Sequence, residues 1–213
     1  MAQDKVTVTR MELLAKKQQI GLAEQGLDLL QRKRTALLRE LMQSADRAMA
    51  HSDTLQAAAA AAARALGRAA AAAGMPAVRS AAMAARAQLP LEVSSINVMG
   101  VKVPRIEKKR VGRPVWGRGY APPGVSVTID EAAEAFEEEV NAIITLAESE
   151  LRLQRLAEEF RSTSRRVNAL EHLIIPRLRR ERNKIEIALE ERERADHFRM
   201  KRVKKLRSHS KNR

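Results

Sequence analysis

The sequence predicts a mainly all-α fold: a long antiparallel two-helix coiled coil with a small mixed middle region containing short strands. Three observations predict it. Large aromatics, which dominate compact cores, are scarce: one Trp, one Tyr and three Phe in 213 residues, so Leu, Ile, Val and Ala must do the packing. Near each end, apolar residues recur every seven positions, the period of a coiled-coil seam. Most of the glycines and prolines lie between those stretches, in EVSSINVMGVKVPRIEKKRVGRPVWGRGYAPPGVSVTI at 92–129.

Residues 1–74 form the first long helix. Thr9 followed by Glu12 fits a capping box, with Val8 and Leu13 as a hydrophobic staple. One seam row is Leu13, Ile20, Leu27, then Arg34, Leu41 and Ala48; its companion is Ala23, Leu30 and Leu37. Arg34 interrupts the row with a stem that packs and a head that reaches water. Ala57–Ala63 continues the helix on propensity alone. Because Ala packs little area, this part is either thin or closely approached by a neighbour. Gly74 and Pro76 stop it.

Residues 75–127 are the middle region. A short helical piece is expected over Ala77–Gln88. Ile96, Val98, Val101 and Val103 flank Gly100, which predicts short strands with a turn or bulge. Trp116 and Tyr120 read as a local anchor or contact point.

Residues 128–206 form the second long helix, opened by a capping box at Thr128 and Glu131. Its early carboxylates and basic end both suit the helix dipole. The seam runs Leu146, Leu153, Phe160, Val167, Ile174, with Leu156, Thr163 and Leu170 beside it. It resumes at Leu178 and Ile185, as if four residues were added to the heptad count. Pro176 falls at this change of register. A proline inside a helix costs about 3 kcal/mol or more, so a local bend or unwinding is expected there, the alternative being a separate helix that starts at Pro176. Residues 207–213 are a basic tail. The second helix, roughly 75 residues, would span about 110 Å. Neither helix is stable without packing, so the two pair antiparallel with both chain ends together.

The formal charge is +14, which suits a polyanionic partner or an acidic protein partner. Cysteine is absent, excluding disulfides and thiolate metal sites. No run of about 18 apolar residues spans a membrane, and the first residues lack the apolar core of a signal peptide; a cytoplasmic location is expected. His51, His172, His197 and His209 lack metal-ligand spacing, and Glu193 with His197 reads as a solvated helical contact. VGRPVWGRG lacks the Lys-Ser/Thr ending of a phosphate-binding loop. The carboxylates lie on helix faces without the dry, concave surroundings that acid–base catalysis needs. No catalytic, cofactor-binding or metal-binding residue is predicted. The tail RMKRVKKLRSHSKNR raises the alternative of a basic helical nucleic-acid-binding protein, but no aromatics interleave its charges and no recognised binding module is present.

Three blocks carry a family resemblance: TRMELLAKKQQIGLAEQGLDLLQRKRTALLREL at 9–41, INVMGVKVPRIE at 96–107, and RRVNALEHLIIPRLRRERNKIEIALEERERADHFRMKRVKKL at 165–206. Together the chain resembles the D subunit of the V-type and archaeal-type (A-type) rotary ATPases. The resemblance implies a central-stalk rotor shaft that carries torque between an ion-translocating membrane ring and a catalytic hexamer. It couples proton or sodium transport to ATP synthesis or hydrolysis. The implied partners are the A and B subunits of the hexamer, the F subunit, and the subunit seating the shaft on the ring. The shaft itself catalyses nothing, holds no nucleotide or cofactor and binds no nucleic acid. It sits peripherally on the cytoplasmic side of the membrane. From charge, Arg202, Lys204 and Lys205 are the candidate contacts to the hexamer.

Overall fold

The computed structural model of the chain describes residues 7–85, 91–107, 112–113, 117–120 and 126–211, with side chains as far as Lys205. Helix α1 is Arg10–Ala73 and α2 is Met75–Ala84; strands β1, Glu92–Val98, and β2, Val101–Glu107, form a hairpin. Helix α3, Val127–Ala169, runs through a π-helical turn, Leu170–Ile174, into α4, Ile175–Lys211. Among the described residues the fold is thus mainly helical, with a small antiparallel sheet in the middle. By contacts it divides into a terminal unit, Met1–Thr35 with Arg161–Arg213, and a middle unit, Ala36–Phe160. Among the described residues no helix is long and apolar enough to cross a membrane.

Local chemistry explains the element ends. Thr9 Oγ1 accepts the Glu12 N–H at 3.1 Å and caps α1. The start of α3 differs from expectation. The helix begins at Val127, and the Ser126 carbonyl accepts the Ile129 N–H at 2.9 Å. Thr128 lies inside the first turn, where its hydroxyl pairs with that of Ser126 at 2.9 Å, so Ser126 takes the cap position. Helix α1 stops at Gly74, whose φ of 82° places it in the left-handed region. Pro76 then enters the first turn of α2, where its missing N–H costs nothing. The predicted short helix starts at Met75 rather than Ala77 and ends at Ala84; residues 86–90 lie outside the described part.

The hairpin turn is Met99–Gly100, with φ of 53° and 84°. Two positive values in a two-residue loop make the turn whose twist matches the flanking strands. Near this turn, Ile96, Val98, Val101 and Val103 pack with Leu37, Leu41, Leu156 and Phe160, forming one core of the middle unit. A second core is made of Ala65, Ala69, Ala81, Ile129 and Ala132, with Ala73, Val78, Tyr120 and Ala135 around it. Small side chains let α1, α2 and α3 come close together there. The alanine-rich segment is therefore packed against neighbours, one of the two outcomes its composition allowed.

Candidate functional site

In the terminal unit α1 and α4 run antiparallel. Ile20, Val167, Ile175 and Ile185 are buried, and Leu13, Leu27, Leu30, Leu170 and Leu178 are half-buried. Polar pairs flank this seam. Lys16 Nζ lies 2.9 Å from Glu181, whose other oxygen takes Arg177 at 2.8 Å. Arg10 reaches Glu193 at 2.6 Å, Arg179 reaches Glu24 at 2.7 Å, and Lys17 reaches Glu186 at 3.5 Å. The Arg192 guanidinium donates to the Val8 carbonyl at 3.0 Å. Exposed pairs of this kind contribute about 0–1 kcal/mol each, so the apolar seam supplies most of the stability and the pairs fix register. Glu181 is the exception. It is largely shielded, and hydrogen bonds from Lys16, then Arg177, hold its carboxyl below the usual 4.5.

The π turn accounts for Pro176. The Ile175 N–H bonds the carbonyl of Leu170, five residues back. In an undistorted helix the proline ring would press on the carbonyl of His172; the wider turn makes room. Glu171 and His172 are exposed, so water can reach carbonyls that Pro176 cannot satisfy. The turn also corrects the seam. Spacing assigned Ile174 to it, but Ile174 is 44% exposed and Ile175 only 5%. One residue has been added, not four. The row through Leu170 continues at Leu178 and Ile185, and Ile175 takes the place that Ile174 would have held.

In the middle unit, Leu37 and Leu156 are fully buried, whereas Leu41, Leu146, Leu153 and Phe160 are half-buried. Glu40 and Arg152 pair at 2.5 Å beside them. A polar cluster around Arg118 has no counterpart among the sequence expectations. That side chain is 3% exposed and reaches Asp130 at 3.1 Å, Glu137 at 3.4 Å and Glu134 at 3.5 Å. Burial alone would lower its pKa, but the Glu137 and Asp130 carboxylates outweigh this and raise it. The Tyr120 hydroxyl donates to Asp130 at 2.7 Å. Burial, then this bond, push the phenol up to about 12. Gly119, between them, has a φ of +85°, and a Cβ there would lie 2.4 Å from the Ala84 carbonyl oxygen. The loop at 117–120 is thereby pinned against the end of α2 and the start of α3. Tyr120 serves as an anchor; Trp116 lies outside the described residues.

Arg118 also borders an open cleft of about 660 Å³ with Glu107, Glu138 and His51 on its walls. Among the described residues no three His, Asp or Glu side chains are placed to hold a metal ion. Beyond the Arg192 and Glu193 contacts, every residue of α4 from Arg194 to Lys205 is exposed among the described residues, including Arg202, Lys204, Lys205, Phe198 and Met200. What this arrangement offers is paired helices and an exposed basic helix end. A sequence model of the family described as the D subunit of ATP synthase matches residues 12–205.

The chain belongs to the ATP synthase D-subunit family.

Similar proteins span its length. The A-type ATP synthase D subunit of Haloarcula marismortui is 42% identical over 204 residues, covering 96% of this chain and 88% of that protein. That of Methanosarcina mazei is 42% identical over 204 residues, covering 96% and 98%. That of Pyrococcus horikoshii is 41% identical over 202 residues, covering 95% and 94%. In this member of the D-subunit family, heptad spacing picks out Ile20, Leu37, Leu156, Val167 and Ile185, all of them buried. It misses Ile175, because a π turn breaks the count. It also misses Arg118, because that residue's partners lie 12 to 19 positions away on a face that looks solvated in the sequence.

Proposed function

We propose that this protein is the central shaft of a rotary ATP synthase or ATPase. It carries torque between the ion-translocating membrane ring and the catalytic hexamer of A and B subunits, and makes no chemical bond itself. The antiparallel pairing of α1 and α4 carries this reading: two helices joined along a seam resist twisting better than one. The exposed stretch of α4 beyond Glu193 supports it further, since a long helix draws most of its stability from packing and gains it from an enclosing partner. Enclosure by the hexamer supplies one. Its surface of Arg, Lys and Glu offers many weak contacts in place of a few deep anchors, which suits an axle that must turn without locking. The F subunit and the subunit seating the shaft on the ring are the other partners, and the chain lies peripherally on the cytoplasmic side.

The experiment is assembly of the whole complex, membrane ring included, with and without this chain, followed by ATPase activity and ATP-driven ion transport. The chain should be required for coupled transport. Replacing Arg202, Lys204 and Lys205 together by Gln should weaken assembly or coupling by severalfold, with the helix content of the isolated chain unchanged. Full coupling by the triple variant would remove the charge argument.

A further inference from the structure

The two strands of the hairpin treat their outer edges differently. With a two-residue turn, Val98 and Val101 form the first hydrogen-bonded pair, and bonded pairs alternate with non-bonded ones along the ladder. Ile96 with Val103 and Ser94 with Arg105 therefore exchange ladder bonds. Asn97 with Lys102, Ser95 with Pro104 and Val93 with Ile106 point their backbone groups away from the hairpin. On β2 this outward row is guarded. Pro104 has no N–H, Lys102 is an exposed cation and Ile106 is buried. Proline and lysine are common blocks against edge pairing. The outward row of β1 is Val93, Ser95 and Asn97, all exposed, uncharged and able to donate. Val93, a β-branched residue that favours packing against a neighbouring strand, is 66% exposed. Among the described residues the sheet has no third strand.

We propose that the outer edge of β1 receives an extended strand from another protein of the rotary complex. This rests on the rotor reading above. Backbone groups of Val93, Ser95 and Asn97 bond the incoming strand, and its side chains are set by what they face. Lys102 shares a sheet face with Asn97, so an acidic residue belongs near the turn. Glu92 and Glu107 stand at the open end, which disfavours an acid there. A β-branched or other apolar residue beside Val93 covers its side chain. The occupant is thus a short, extended, acidic-to-apolar segment of a partner.

Residue-resolved hydrogen exchange on the full chain, free and in the complex co-expressed with its A, B and F subunits and the ring-seating subunit, tests this. The amides of Val93, Ser95 and Asn97 should exchange fast in the free chain and slow on the order of a hundredfold in the complex. Those of Ser94, Ile96 and Val98 should be slow in both. Ser95→Pro with Asn97→Pro repeats on β1 the device that Pro104 provides on β2 and removes outward donors alone. It should weaken retention of the partner on the order of tenfold, while slow exchange at Ser94, Ile96 and Val98 shows the hairpin intact. Outward amides that stay fast in the complex, or a double-proline variant that assembles as well as the parent, overturn the proposal. So does slow exchange in a free chain that sediments as a dimer, which would make the occupant a second copy. Failure of the rotor reading looks different: the unmodified chain then joins no complex, and the proposal falls with its ground.

Discussion

Tyr120 is the sole tyrosine of the chain, so its titration can be followed without assignment. With the phenol held by burial and by Asp130, ionisation near 12 rather than 10 is expected in the phenolate absorbance. Because the folded value is the higher one, the contribution to stability is intact below pH 10 and is lost as pH rises through about 12. Ionisation near 10 in the folded protein would mean that the phenol is neither buried nor held by Asp130. Glu181 has the opposite sign. Its folded pKa lies below 4.5, so its contribution is present above that value and disappears as pH falls through the folded one. Glu181→Gln should cost about 1–2 kcal/mol at neutral pH by chemical denaturation, and the difference from the parent should shrink in acid. Gly119→Ala should cost at least about 2 kcal/mol, since a positive φ and a backbone clash act together; a neutral result would show that the loop does not sit against Ala84.

At the scale of elements, the π turn makes the sharpest case. It holds one residue more than the seam requires, so removing that residue leaves Ile175, Leu178 and Ile185 facing α1. What the removal takes away is the room for Pro176. Deleting Leu173 should therefore destabilise the protein by about 3 kcal/mol. Adding Pro176→Ala to the deletion should restore most of that loss, and Leu173→Ala alone should be nearly neutral because the side chain is 68% exposed. Thermal unfolding followed by helical circular dichroism measures all three. A deletion that Pro176→Ala fails to rescue would show that the turn sets the seam in some other way. The sequence marked this place through its broken period and its proline. It could not name the device, because a four-residue stutter and a single added residue both carry Leu178 and Ile185 onto the seam; burial of Ile175 separates them. The hairpin was legible through Gly100 between two valine-rich runs. The cap of α3 was not, since Ser126 and Thr128 are both good caps and only backbone geometry chooses between them.

At the scale of the whole molecule, the fold class and the family were legible because both depend on long, repeated patterns that survive local exceptions. The Arg118 cluster was hidden, since a buried cation with three carboxylates arises from a loop folding back and leaves no periodic trace. The net charge of +14 gains meaning from its placement: cations concentrate on the exposed end of α4, whereas carboxylates of α3 are partly used to hold the loop at 117–120. The central claim is mechanical. A bead attached to the hairpin of this protein, in complexes immobilised through the catalytic hexamer, reports it most directly under the microscope. On adding ATP, the account predicts sustained rotation of the bead in one direction. A bead that stays fixed while the same complexes hydrolyse ATP, with this protein present, would contradict it.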